Sequence, residues 1–142
     1  MEFIGKTKEG AFLYDDYAHH PTEIKKTLAA IKKMYPNKKI VSIFQPHTYS
    51  RTKSLFEQFV GSFSNADIVV ITDIYSSLRE KPDSSISSKL LSDNIAKVHR
   101  DTFYVAKLDD VVEYVDQNGF DSNYVVVVLG AGDVYKILKV IT

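Results

Sequence analysis

The chain has 142 residues, 44% of them hydrophobic, which is enough for one compact core and small for two. Basic and acidic residues number 18 each, so the formal net charge is zero and no broad field exists to collect nucleic acid or anionic lipid. The chain has no cysteine, which excludes disulfide and thiolate chemistry. Residues 1–10 are too charged for a signal peptide or a membrane span, so we expect a cytoplasmic protein without membrane partners.

Five short apolar runs predict β-strands along the chain. They are residues 11–14, 40–44, 68–72, 102–105 and 124–129. Each run is continuous rather than alternating, and the last is almost purely β-branched. Strands of this kind are typical of a parallel sheet that is covered on both faces.

Amphipathic helices are predicted between these strands. Pro21 opens the first, in which Ile24, Leu28, Ile31 and Met34 recur at helical spacing. Further apolar helical faces are expected at residues 55–63, 90–95, 108–115 and 134–141. The alternation of strands and helices predicts a single-domain, doubly wound α/β fold, Rossmann-like, with a mostly parallel sheet and helices on both faces.

In a doubly wound sheet, ligands bind beyond the carboxyl ends of the strands, near the point where the strand order reverses. Three polar segments fall there: DDYAHHP at 15–21, QPHTYSRT at 45–52 and GAGD at 130–133. A long exposed loop is predicted at residues 73–85, and such loops often border sites. We therefore expect a ligand site at this edge of the sheet.

The first polar segment places two carboxylates, a phenol and two imidazoles between a strand end and a helix start. Its candidate site residues are Asp15, Asp16, Tyr17, His19 and His20. An alternative is that Asp15 or His20 only caps the helix, since Asp is a good cap and His20 directly precedes the proline.

A zinc site is a further alternative, and it would use His19, His20 and His47. Adjacent imidazoles usually point apart, and no ligand pair has helical or zinc-finger spacing. We therefore predict no metal site in this chain.

The second polar segment brings His47, Tyr49 and Arg51 to the same edge. Arg51 lies near a helix start, where backbone N–H groups favour an anion, and its planar fork suits a carboxylate or a phosphate. The alternative is an ordinary surface arginine with Ser50 as the helix cap.

The third polar segment contains Gly130 and Gly132, which would let backbone approach a ligand, and Asp133, which could cap the last helix. The segment lacks the G-x-G-x-x-G spacing of a dinucleotide site. Tight packing between strand and helix is the favoured interpretation.

The segments DDYAHHPTEI and FQPHTYSRT, followed by GAGDV, together resemble the C-terminal domain of the Mur ligase family from end to end. The second segment favours members that join L-alanine to UDP-N-acetylmuramate in peptidoglycan precursor synthesis. The resemblance implies an ATP-dependent ligase in which the sugar carboxylate is phosphorylated and the alanine amine attacks the acyl phosphate. It also implies that ATP, Mg²⁺ and the UDP-sugar are held mainly by central and N-terminal domains absent from residues 1–142, so we expect the isolated chain to be inactive.

The resemblance assigns roles to five residues by their position in the motifs. Asp16 would bind the ATP ribose, and Tyr17 would lie against the nucleotide or the incoming substrate. His19 and His47 would orient alanine and the acyl phosphate, and Arg51 would hold the alanine carboxylate.

One departure from the family pattern is Thr48, where many members carry a second arginine. The departure removes one anion contact, so Arg51 would carry more of the binding. It also weakens any inference on how alanine is told from other amino acids.

Three alternatives remain open at this point. The chain could come from the related ligase that joins a recycled tripeptide to UDP-N-acetylmuramate, or it could be a domain that binds nucleotide or a partner protein without catalysis. It could also be a phosphoacceptor receiver, because Asp15, Asp16 and Asp73 imitate the acidic residues of that fold. A receiver needs a lysine after its last strand, where this chain has the GAGD segment.

Overall fold

The five predicted strands are all present in a computed structural model that describes residues 1–142, and one further strand precedes them. The strands are β1 (Glu2–Lys6), β2 (Phe12–Asp16), β3 (Lys39–Phe44), β4 (Ile68–Ile71), β5 (Thr102–Tyr104) and β6 (Tyr124–Leu129). The helices are α1 (Pro21–Met34), α2 (Tyr49–Ser54), α3 (Phe56–Val60), α4 (Ser88–Ala96), α5 (Leu108–Asn118) and α6 (Leu138–Ile141). A 3-10 turn, Val134–Ile137, leads into α6.

One sheet contains all six strands, in the order β1-β2-β6-β3-β4-β5. Every neighbouring pair is parallel except β1 and β2, so the predicted fold class is confirmed. Strand β1 was not expected, because it mixes charged and apolar residues. As an edge strand that is mostly exposed, it needs no continuous apolar run.

Strand β6 lies at the centre of the sheet and is the most deeply buried strand. Residues 125–129 are fully buried, and the side chains alternate between two apolar cores. One core lies under α1, α3 and α4, and the other lies under α5, the 3-10 turn and α6. A strand buried on both faces must be apolar at every position, which explains the β-branched run in the sequence. No helix has both the length and the apolarity needed to cross a bilayer.

The helix expected at residues 55–63 is wrong in both its start and its continuity. Helix α2 begins at Tyr49 and ends at Ser54, and after Leu55 the short helix α3 follows. Phe63 lies beyond the end of α3 and is nevertheless buried in the core. The apolar spacing indicates which side chains face the core. The start of α2 is set instead by its N-cap, Thr48.

Helix α1 matches the predicted span but has a narrower apolar face than expected. Ile24, Leu28 and Ile31 are fully buried, whereas Met34 in the last turn is 47% exposed. The core thus ends one turn before the helix does.

We expect Leu28→Ala to lower the free energy of unfolding by about 2–5 kcal/mol, because it leaves a cavity between α1 and the sheet. Met34→Ala is the matched control on the same helix and should change it by about 0.5 kcal/mol or less. Urea denaturation of both variants gives the two values. Equal losses would contradict the position of Met34 outside the core.

Candidate functional site

The strand order creates a crevice at the carboxyl edge of the sheet. Because β6 lies between β2 and β3, the carboxyl ends of β2 and β3 lie two strand spacings apart, about 10 Å, and the helices that follow them, α1 and α3, pack on the same face of the sheet. The chain that leaves β6 runs to the other face. The three polar segments therefore meet around the carboxyl end of β6, which is where a switch point places a ligand site.

Asp16 ends β2 at one side of this crevice, and its carboxylate is held by two hydrogen bonds. One oxygen accepts from the backbone N–H of Ala18 at 2.8 Å, and the other accepts from the hydroxyl of Thr27 on α1 at 2.8 Å. The oxygen bound to Thr27 also lies 3.6 Å from the N-terminal ammonium of Met1, and the oxygen bound to Ala18 keeps a second lone pair for a further donor. Asp15 precedes Asp16 on β2, so its side chain points to the opposite face of the strand. Burial, together with the carboxylates of Glu2 and Asp16, raises the pKa of Asp15.

His20 caps helix α1, so the capping alternative is confirmed for this residue and not for Asp15. Its ring Nδ1 accepts from the backbone N–H of Thr22 at 3.2 Å. Glu23 completes the capping box by accepting from the backbone N–H of His20 at 3.0 Å. The imidazole of His20 is thereby fixed at the helix start.

His19 faces the crevice next to the exposed ring of Tyr17. Its Nδ1 lies 3.0 Å from the backbone carbonyl oxygen of Tyr17, and the centroids of the two rings are 5.6 Å apart. The ring of His19 also lies 6.0 Å from the ring of His47, in a T-shaped arrangement. The first and second polar segments therefore meet at these two imidazoles.

His47 stands at the opposite side of the crevice and stacks on Tyr75, with 5.6 Å between centroids and 18° between ring planes. Its Nδ1 is buried and has no hydrogen-bond partner within the chain. Desolvation, His19 and Arg51 lower the pKa of His47, and Glu80 opposes them. The imidazole is therefore neutral at neutral pH and keeps an unused polar atom.

Thr48, not Ser50, caps helix α2. Its hydroxyl accepts from the backbone N–H of Arg51 at 3.3 Å, and its backbone adopts φ 66°. A positive φ is unusual for a β-branched residue. The first two N–H groups of α2, those of Tyr49 and Ser50, donate to the carboxylate of Glu80 at 2.6 and 3.0 Å.

Arg51 is half-buried in the first turn of α2, and its guanidinium forms no ion pair with any carboxylate of the chain. We expected the backbone N–H groups at the start of α2 to favour an anion beside Arg51. None of these groups is open, because Glu80 and Thr48 already accept from them. The guanidinium with its five donors is thus the available anion-binding group at this side of the crevice.

The GAGD segment packs tightly against the end of β3, as its favoured interpretation predicted. A Cβ on Gly132 would lie 2.5 Å from Cγ of Tyr75 and 2.6 Å from Oε1 of Gln45. The amide of buried Gln45 donates to Asp133 at 2.7 Å and accepts from the N–H of Val134 at 3.1 Å. Asp133 does not cap the following turn with its side chain, because this carboxylate is bound to Gln45. Gly130 is similarly confined, since a Cβ added there would lie 2.9 Å from Cγ1 of Val134.

Potential metal ligands do not converge in this structure. No group of three or more His, Asp or Glu side chains could hold a metal ion. His19 and His47 are neighbours, but the ring of His20 serves the cap of α1.

Two residues at the crevice were not predicted individually: Tyr75 and Glu80. Both lie in the long loop that was expected to border a site. Composition could mark the loop, but a contact between residues about thirty positions apart leaves no local pattern in the sequence.

Comparisons with known proteins agree with the motif resemblance. Residues 1–132 match the family described as Mur ligase, glutamate ligase domain. The UDP-N-acetylmuramate–L-alanine ligase of Caldanaerobacter subterraneus subsp. tengcongensis is 49% identical over 129 residues, which cover 91% of this chain and 27% of that protein. The chain therefore spans little more than a quarter of the length of this relative.

Solved structures show the same fold. The crystal structure of UDP-N-acetylmuramate-alanine ligase from Thermotoga maritima matches with a TM-score of 0.75 at 28% identity, over 97% of this chain and 27% of that chain. A domain assigned to a UDP-N-acetylmuramate:L-alanyl-gamma-D-glutamyl-meso-diaminopimelate ligase from Haemophilus ducreyi matches with a TM-score of 0.67 at 19% identity, over 99% and 98% of the two chains. The second likeness shows a shared fold in a domain that was crystallised by itself.

We expect Gly132→Ala to lower the free energy of unfolding by about 1–3 kcal/mol, because the new methyl group overlaps Tyr75 and Gln45. Gly61→Ala is the control, since its Cβ would lie 4.0 Å from the nearest atom and its φ is −88°. Chemical denaturation measures both changes. Equal stability of the two variants would contradict the close packing of the GAGD segment.

We expect His47 to titrate below its ordinary pKa of 6.5 in NMR spectra of the folded chain. Because the unfolded chain binds this proton more tightly, the contribution of His47 to stability is complete above pH 6.5 and is lost as the pH falls toward the lowered pKa. Arg51→Gln should raise the pKa of His47 by removing a neighbouring cation, whereas Arg100→Gln should leave it unchanged. A pKa at or above 6.5 in the unaltered chain would refute the environment described here.

Proposed function

The chain belongs to the Mur ligase family as its C-terminal, glutamate ligase domain, and from this premise we propose that it serves an ATP-dependent ligase that joins L-alanine to UDP-N-acetylmuramate. Such a reaction contributes to peptidoglycan precursor synthesis and takes place in the cytoplasm. The chain would act as the domain that closes on nucleotide and amino acid, and it would not catalyse the reaction alone.

The observation that carries this proposal is the unpaired guanidinium of Arg51 beside the imidazoles of His19 and His47. A half-buried cation without a carboxylate partner favours a small anion from outside the chain. The carboxylate of L-alanine matches the planar fork of an arginine in a bidentate arrangement.

His19 and His47 would orient the reacting groups next to this carboxylate. The neutral His47 keeps a buried Nδ1 without a partner, so a ligand that offers a hydrogen bond would satisfy it. Proximity of this kind accelerates a bimolecular step because the amine is held in one orientation.

Asp16 and Tyr17 would form the nucleotide side of the crevice. The carboxylate of Asp16 is held by hydrogen bonds from Ala18 and Thr27, and the oxygen bound to Ala18 can still accept from a ribose hydroxyl. Tyr17 is 70% exposed at the same edge, so its ring is available to lie against a base or a substrate.

ATP phosphates and Mg²⁺ fit this chain poorly on their own. It contains no glycine-rich phosphate loop of the G-x-x-x-x-G-K-[ST] type, and no cluster of acidic side chains suits a metal ion. We propose that the central domain holds both and that an N-terminal domain holds the UDP-sugar. Closure of this domain would then complete the site and exclude water.

The equivalent domain of a tripeptide-joining ligase is the second candidate. The Haemophilus domain supports it only through a shared fold, whereas 49% identity to an L-alanine ligase favours the first candidate. A phosphoacceptor receiver is not supported. Its strand order differs from β2-β6-β3-β4-β5, and Asp73 is bound to the hydroxyl of Tyr104.

The test is a chimera in which this chain replaces the matching part of the Caldanaerobacter ligase. We expect ADP release that requires ATP, UDP-N-acetylmuramate and L-alanine, and none from the chain alone. Arg51→Ala in the chimera should reduce kcat/KM for L-alanine by a factor that corresponds to about 2–4 kcal/mol of lost transition-state stabilisation. This is the scale for loss of a desolvated charged partner. Lys107→Ala, at the cap of α5, is the control and should retain activity.

Each result decides between the candidates. Release of ADP with the tripeptide and not with L-alanine would favour the tripeptide-joining ligase. Unchanged alanine kinetics in Arg51→Ala would remove Arg51 from the site. Turnover by the chain alone would overturn its assignment as a domain that depends on others.

A further inference from the structure

Glu80 reaches the crevice from the β4–α4 loop, which comprises residues 72–87. One carboxylate oxygen accepts from the N–H of Tyr49 at 2.6 Å. The other accepts from the N–H of Ser50 at 3.0 Å and from its hydroxyl at 2.9 Å. With Thr48 accepting from Arg51, every free N–H group at the start of α2 has a partner.

The start of α2 requires such support. Helix α2 has only six residues, too few to be stable without tertiary contacts. Thr48 holds φ 66°, a conformation that is strained for a β-branched residue and persists only when the surroundings impose it. The candidate ligand-binding residues His47 and Arg51 lie on either side of this strained residue.

The β4–α4 loop supplies the surroundings. Thr48 donates its N–H to the carbonyl of Tyr75 at 2.8 Å, and Tyr75 donates its own N–H to the carbonyl of Pro46 at 2.9 Å. The ring of Tyr75 stacks on His47. Glu80 adds the one charged contact between the loop and the helix start.

We propose that Glu80 is a positioning residue, whose carboxylate fixes the start of α2 and thereby aims His47 and Arg51 into the crevice. The proposal rests on the proposed function, because it assumes that these two residues hold the amino acid. Glu80 itself does not bind the substrate, since its oxygens already accept three hydrogen bonds and its charge would repel a carboxylate.

The charge of Glu80 also directs an anion to Arg51. N–H groups at a helix start attract anions, and Glu80 occupies those of α2. The Arg51 guanidinium is then the available cationic partner at this side. The charged and titratable groups that face His47 are His19, Arg51 and Glu80, so loss of the carboxylate removes the only one that favours the imidazolium.

Partial desolvation raises the pKa of Glu80, but the N–H groups of Tyr49 and Ser50 and the Ser50 hydroxyl outweigh it and hold this pKa below its ordinary value. The carboxylate is therefore charged at neutral pH. The amide of Glu80→Gln has the same size and can accept from one N–H group, but it presents a donor to the other.

The test compares Glu80→Gln with Asp83→Asn. Asp83 lies in the same loop and contacts the same helix through Lys53 at 3.3 Å, away from the helix start. In NMR spectra of the chain, Glu80→Gln should lower the pKa of His47 and speed amide exchange at Tyr49 and Ser50. In the chimera it should raise KM for L-alanine about tenfold, change kcat less and leave KM for ATP unchanged. Asp83→Asn should change none of these.

The NMR measurement separates this proposal from the proposed function. If Glu80→Gln is folded and leaves the pKa of His47, the two exchange rates and KM for L-alanine unchanged, Glu80 is not a positioning residue. Equal effects of Glu80→Gln and Asp83→Asn would also overturn the proposal, because they would indicate general stabilisation of the loop. An inactive wild-type chimera would overturn the proposed function, and the NMR spectra would still decide the role of Glu80.

Discussion

The insertion of β6 between β2 and β3 is the constraint on which the rest of the structure depends. Its backbone hydrogen bonds to both neighbours hold the first two βα units apart. Each unit then packs a helix, α1 or α3, on the same face, with a gap of one strand between the ends of β2 and β3. This gap lies above the carboxyl end of β6, where the chain turns to the opposite face.

The walls of the crevice are rigid because each is fixed by contacts distant in sequence. Asp16 is bound to Thr27 on α1, and Gln45 links the end of β3 to Asp133 and Val134 after β6. Buried amides that satisfy their partners hold neighbouring segments in one register. The polar side chains that face the gap therefore start from fixed backbones, which reduces the entropy lost when a ligand binds.

The polar residues around the crevice divide into two groups by what they contact. His20, Thr48 and Glu80 satisfy backbone N–H groups at helix starts. His47 and Arg51 keep donors or acceptors without partners in the chain. The first group stabilises the site, and the second group is available to a ligand. Residue type alone could not separate them, since both groups contain histidine and charged side chains.

Much of the fold could be predicted because burial on two faces leaves a continuous apolar run, which a single sequence displays. The motifs around His19, His47 and Arg51 likewise identified the family. The edge strand β1 and the break at Leu55 could not be predicted, since an edge needs no apolar run and a cap overrides helical spacing. The roles of Tyr75 and Glu80 depended on the tertiary structure for a related reason. Their partners lie about thirty residues away, and only the parallel order of β3 and β4 brings the two loops together.

The sequence by itself determined what must be buried and which side chains carry chemistry, because those properties belong to single residues and their local spacing. Only the tertiary structure decided which polar groups are already paired, because pairing is a property of distant segments that meet.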